Sequence, residues 1–188
     1  HILRGSGIEV LTLTALGIAE EVEEDGSTTE ENARKKARFY FALSGIPTLA
    51  LDGGLRIPRF PEDKQPGVLV KRMPGMEAAA RSAGISDRDI FNFYLQALAQ
   101  YGGESPATWT GGQALAPSTE QVIVESFTFD VLFTRHPRGE ISPGRALDAL
   151  MIDPASGKYY TELALEERPY YQETRRFIMR HLERIDVG

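Results

Sequence analysis

The sequence predicts an α/β protein, and three observations carry that reading. A strand, a long capped helix and a second strand follow one another in the first third of the chain. A strictly alternating apolar strand lies near residue 130. An amphipathic helix closes the chain. "GIEVLTL" (7–13) reads as the first strand, and "AEEVEEDGS" after it as an acidic, solvated loop. "STTEENARKKARFYFALSG" reads as the first helix. Ser27 or Thr28 can cap it, and Glu30 or Glu31 supplies the acid of a capping box. Ala33, Ala37, Tyr40 and Phe41 recur at helical spacing as its apolar face, and Gly45 stops it. "IPTLAL" shows no alternation, which predicts a strand buried on both faces. Strand directions stay open at this level.

"RIPRFPEDKQPG" holds three prolines in twelve residues and reads as a loop of the kind that edges a site. "SDRDIFNFYLQALAQYGG" predicts a helix capped by Ser86, with Ile90, Phe93, Tyr94, Ala97 and Leu98 inward. "EQVIVESFTFDVLFT" predicts one or two strands, in which Phe127, Phe129, Val131 and Phe133 alternate. "HPRGEISPGRA" reads as a polar loop. The last helix is expected from Pro169 to Ile185, with Tyr170, Tyr171, Thr174, Phe177, Ile178 and Leu182 as its inner stripe.

Composition narrows the function. The 188 residues suit one domain with a sizeable core or two small lobes. A formal charge of −6 disfavours a polyanionic partner such as nucleic acid. No apolar run reaches the ~18 residues that span a bilayer, so no membrane partner is expected. The absence of cysteine excludes disulfides, cysteine metal sites and thiol nucleophiles. The chain opens on His1, and its native start is expected to precede it.

The candidate chemistry lies in two stretches. Glu31 falls in the first turn of the first helix, and Asp52 at the end of the strand that follows. A short link between the two elements would bring both carboxylates to one rim, where they could share a Mg²⁺. Lys35 and Lys36 could reach phosphate oxygens, and Gly53 and Gly54 would let backbone N–H groups approach the same anion. The plainer alternative stands beside this one: Glu31 as a capping acid paired with Lys35, and Asp52-Gly53-Gly54 as a turn. His136 and His181 lie in no metal-ligand spacing, Trp109 suits core or cleft packing, and Arg175 and Arg176 suit a solvated face.

"GSTTEENARKKA", followed after the end of its helix by "ALDGGL", resembles the inosine triphosphate pyrophosphatase family. That family shows T-x-x-E-N-A-x-x-K-A, then A-D-D-S-G-L, then P-G-x-x-S-A-R. "QPGVLVKR" is similar to the third motif in Pro66, Gly67 and Arg72, and "GKYYTELALEER" is similar to the family's G-K-T-x-x-E-L-x-x-E-E-K. The resemblance implies an elongated, two-lobed α/β domain over residues 1–188, with a long mixed, twisted sheet and a central cleft. It implies a cytoplasmic homodimer that hydrolyses a nucleoside triphosphate to the monophosphate and pyrophosphate with Mg²⁺. On the same basis Glu31 and Asp52 would be the metal-binding acids. Asp52, Glu31 and Lys36 would be the catalytic set, with Lys36 on the phosphates. Gly53, Arg72, Arg145, Asp148 and Arg168 would contact substrate, the last three at the base end. The departures are specific. Leu51 stands where the family has its first Asp, and Gly53 where it has Ser. Arg145 replaces the Phe that stacks on the purine. Gln172, Glu173 and Thr174 replace the S-H-R that reads the 6-oxo group, and the N-terminal T-x-N-x-x-K element is absent from the chain. Two readings follow: an active pyrophosphatase with altered base choice, or a non-catalytic relative that keeps the fold and binds nucleotide or a partner.

Overall fold

The computed structural model describes residues 8–73 and 85–184, with Leu182 described by its backbone alone. The expected last residue of the closing helix, Ile185, lies outside the described residues, as do His1 and the first residue of "GIEVLTL". In chain order the elements are α1 (Thr29–Ser44), β1 (Thr48–Arg56), α2 (Asp87–Gln100), β2 (Glu104–Ala116), β3 (Ile123–Thr134), β4 (Met151–Ile152) and α3 (Pro169–His181). The strands form one sheet in the order β1-β2-β3-β4. β3 and β4 run antiparallel, with Leu132 opposite Ile152 and Phe133 opposite Met151. The short 117–122 connection permits only an antiparallel β2–β3 pair, because a parallel return needs a long crossover.

Local chemistry explains the helices. Thr28 caps α1 by accepting from the Glu31 N–H at 3.2 Å, and Gly45 ends it at φ 67°, where a side chain would be strained. Ser86 and Asp89 form a full capping box on α2. The proline-rich loop after β1 is held by Gln65. Its amide donates to the carbonyls of Ile57 and Phe60 at 2.9 and 2.8 Å and accepts from the Ile57 N–H at 2.9 Å.

Three expectations need correction. "GIEVLTL" is not a strand: residues 8–12 are irregular and 13–17 form a turn closed by bonds such as Ile18 N–H to Leu13 C=O at 3.0 Å. Val10, Leu11 and Leu13 face solvent, Val10 at 61 % exposure, so this apolar stretch found no sheet to bury it. Asp52-Gly53-Gly54 is not a turn either. β1 runs through all three to Arg56, and neither glycine has a positive φ. Finally, Trp109, read only as suited to core or cleft packing, lies on β2, a full strand of 13 residues whose pattern Pro106 and Gly111-Gly112 interrupt.

The chain packs as two compact units: residues 1–53, 111–127 and 169–188, and residues 54–110 and 128–168. In the first, strand parity sorts the layers. Ala50, Ala114 and Ala116 pack with Ala33 and Ala37 of α1, and small side chains let helix and sheet approach closely. Leu49, Leu115 and Ile123 point the other way and pack with Phe177 and Ile178 of α3. The second unit has its own larger core around Leu55, Ile57, Tyr94, Leu98, Val131, Phe133 and Leu150. Trp109 stacks on Phe129 there, ring centroids 6.5 Å apart and 13° between planes, and donates to the Met151 sulfur.

Candidate active site

α1 has one functional face. Thr29, Asn32, Ala33 and Ala37 are buried on it, and Lys36 lies four residues after Asn32, one turn on. β1 presents Ala50 and Asp52 to that face and Leu51 to the opposite one. Asp52 is buried at 9 % exposure. Lys36 Nζ donates to Asp52 Oδ1 at 2.7 Å, and Asn32 Nδ2 donates to Asp52 Oδ2 at 3.2 Å. Asn32 Oδ1 in turn accepts from the Gly26 N–H at 2.8 Å, which ties the preceding loop to the same carboxylate. Gly26 is needed there: a Cβ would sit 2.5 Å from Asn32 Oδ1.

Lys36 spends all three N–H donors. Besides Asp52 it meets Glu24 Oε1 at 2.7 Å and the Leu51 carbonyl at 3.3 Å. Burial alone would depress its pKa, but the bonds to Asp52 and Glu24 outweigh that and hold it above 10.5. The ammonium is therefore charged at neutral pH.

Glu31 lies elsewhere on the helix. One residue before Asn32, it is about 100° round from the buried face, and its exposed carboxylate accepts from the Ser27 N–H at 2.7 Å and the Ser27 hydroxyl at 2.9 Å. Those bonds lower its pKa. Lys35 pairs with Asp25 rather than with Glu31. So the structure joins Asp52 and Lys36, and the second carboxylate on Lys36 is Glu24. Sequence reasoning missed Glu24 and Asn32. Asn32 had a usable signal, its i,i+4 spacing to Lys36; Glu24 sits in an acidic loop with no periodicity to single it out. Gly53 follows Asp52 within β1, and Arg72 stands exposed in a turn closed by its N–H to the Leu69 carbonyl at 2.9 Å.

The second unit brings Arg145, Asp148 and Arg168 together around a pocket of about 400 Å³ that Arg138, Glu140 and Ser142 also line. Arg168 Nη1 meets Asp148 Oδ2 at 2.6 Å and Nη2 donates to the Tyr160 carbonyl at 2.6 Å. Burial raises the Asp148 pKa, and Arg168 and Arg145 oppose the rise. His136 and His181 stay outside both constellations: the His136 N–H bonds Thr134 at 3.2 Å, and His181 Nε2 lies 3.0 Å from Glu125.

Among the described residues no three His, Asp or Glu side chains converge as a metal cage. Mg²⁺ does not require one. It takes one or two carboxylates and completes its shell with water and substrate phosphates. Asp52 and Glu24, set against one ammonium, supply hard oxygens of the right kind.

An α/β sheet with a buried carboxylate–ammonium pair facing a capped helix defines the class. The chain belongs to the Ham1 family, whose pattern matches residues 1–173. This is the family resemblance that "TTEENARKKA" and "ALDGGL" predicted. Over 186 residues, 98 % of this chain and 86 % of the relative, it is 31 % identical to a dITP/XTP pyrophosphatase of Symbiobacterium thermophilum. It is 30 % identical over 170 residues to a dITP/XTP pyrophosphatase of Syntrophobacter fumaroxidans, a match that covers 86 % of this chain and 64 % of that protein. The fold is shared with the HAM1 protein of Coxiella burnetii at a TM-score of 0.69 and 24 % identity, over 95 % of this chain and 90 % of that one.

Proposed function

We propose that this protein is a Mg²⁺-dependent nucleoside triphosphate pyrophosphatase that acts on 6-oxopurine nucleotides of the kind its relatives' names carry. The observation that carries the reading is the Lys36–Asp52 pair, buried where α1 meets β1 in a Ham1 chain. Water attacks the α-phosphorus, its proton passes to a carboxylate, and the bond from the α-phosphorus to the bridging oxygen breaks, releasing pyrophosphate and the monophosphate. Asp52 is the proton acceptor in this scheme. Lys36 and Asn32 use one bond to each of its oxygens and leave further lone pairs for a water. Lys36 exchanges one carboxylate partner for a phosphate oxygen, and Glu24, the more exposed of the two, is the one released. Asp52, with Glu24 across the ammonium, would hold Mg²⁺; Glu31, which the resemblance pairs with Asp52, bonds Ser27 instead. That ion, when bound, neutralises the triphosphate and orients the attacking water. Base recognition falls to the pocket of Arg145, Asp148 and Arg168.

The test is a panel of nucleoside triphosphates with Mg²⁺, assayed separately for pyrophosphate and orthophosphate. Pyrophosphate release is expected, and Asp52→Asn should cut kcat by about a hundredfold or more, the usual cost of removing a general base. Release of single phosphates, or full activity in Asp52→Asn, would overturn the reading.

A further inference from the structure

In the first unit β2 and α3 pack level by level. Leu115 meets Phe177 and Ile178. Gln113, two residues earlier on β2, points to the same side of the sheet. Thr174, three and four residues before Phe177 and Ile178, lies on their face of α3. One step further along the strand, the Phe127 ring covers Gly111, where a Cβ would sit 2.3 Å from the ring tip. Phe127 in turn packs edge-on against Tyr170, one turn before Thr174, with ring centroids 5.3 Å apart and 68° between planes. Two residues of strand and one turn of helix advance by nearly the same length, about 6–7 Å and 5–6 Å. Gln113 and Thr174 therefore share the level between an apolar pair above and an aromatic pair below.

That level is polar and fully enclosed. Gln113 is 2 % exposed and Thr174 is 0 % exposed. Among the described residues neither Gln113 Oε1 nor Thr174 Oγ1 has a hydrogen-bond partner, and Thr174 does not use the carbonyl one turn back that helical threonines often take. A buried oxygen left without a partner is costly, and folded proteins answer the cost with a protein group or an ordered water. The two oxygens are complementary: the amide oxygen only accepts, while the hydroxyl also donates. Neither is charged, and the neighbouring levels are leucine, isoleucine and aromatic rings, so an ion would meet no counter-charge. The occupant that fits is small, neutral, and both donor and acceptor.

We propose that Gln113 and Thr174 form a binding site for one structural water, which accepts from the Thr174 hydroxyl, donates to Gln113 Oε1, and so ties α3 to β2. Two experiments test it. In the first, a high-resolution crystal structure of the wild-type protein should show an ordered water about 2.7–3.1 Å from both oxygens. A direct bond between the two side chains, or density at neither oxygen, overturns the proposal. In the second, thermal unfolding is followed in Thr174→Val, Gln113→Leu and the double variant, all close in shape to the native side chains. With the water in place each single change strips it of one of its two partners, and Tm should fall by about 3–6 °C. With no water there, Thr174→Val merely removes an unsatisfied hydroxyl, and Tm would stay level or rise. The sign of that shift therefore decides. The double variant should lose less than the sum of the single losses, because the first change already releases the water that the second would strip. Strict additivity overturns the shared water. The crystal structure needs only the wild-type chain, so a variant that fails to fold leaves the proposal open to disproof.

Discussion

Lys36→Met is expected to lose most of its turnover and about 3 kcal/mol of stability. The stability loss follows from Asp52. Its carboxylate is buried and keeps only the Asn32 amide once the ammonium is gone, and breaking one side of a buried pair costs about 3–5 kcal/mol. The low end applies because Lys36 is 17 % exposed and water reaches the pair from that side. In a chain of this size the loss corresponds to a fall in Tm of roughly 6–12 °C. The turnover loss should reach about 10²–10³-fold, the effect of removing one charged donor from a developing phosphate charge. The double variant Lys36→Met, Asp52→Asn separates the two. It should regain much of the stability, because no unpaired charge stays buried, and none of the activity. Equal stabilities for the single and double variants would sink the buried-pair account. The pair also has a pH signature. The Lys36 pKa is raised on folding, so its contribution is fully present below about 10.5 and is lost as pH rises through the folded value. The stability gap between wild type and Lys36→Met should therefore be flat from neutral pH to about 10 and close above it.

Gly112→Ala should cost about 3 kcal/mol, the upper end of what overpacking does. A Cβ on Gly112 would sit 2.3 Å from the Thr29 carbonyl oxygen and 2.8 Å from the Glu30 nitrogen. Those atoms are the backbone of the first turn of α1, fixed by the Thr28 cap, so they cannot turn aside as a side chain can. To admit a methyl group, α1 must lift from the sheet, which loosens the alanine seam and pulls Lys36 from Asp52. Gly111 supplies the control. Its Cβ would meet the Phe127 ring, 2.3 Å from the ring tip, and a half-buried ring can swing. Gly111→Ala should therefore be the milder change by chemical denaturation. The reverse order would show that α1 does not rest on Gly112 as described.

Much of the fold was legible in short stretches. Caps and stops of α1 and α2 are local hydrogen-bond chemistry, and Thr28, Gly45 and Ser86 act where the sequence places them. β3 was legible because its period of two matches its burial. The failures share a cause. "GIEVLTL" has strand composition, but a strand exists only with a partner, and composition does not supply one. β2 was obscured because glycines read as breakers until one sees that Gly111 lies under a ring and Gly112 under a helix start. The acid after Leu51 looked like a strand end for the same reason, with two glycines that are in fact extended.

By itself the sequence determined the family and the α1–β1 pair, and singled out Asp52 and Lys36 as candidates, because motif spacing and helix capping depend on near neighbours. Only the tertiary structure decided which side chains share a face. The pleat sends Asp52 toward Lys36 and Leu51 toward the α3 layer, so an acid at position 51 would point away from the ammonium. The turn of α1 sends Asn32 and Lys36 inward and leaves Glu31 with Ser27. Which of two adjacent residues meets the site is set by the orientation of strand and helix against each other, and that orientation is a property of packing.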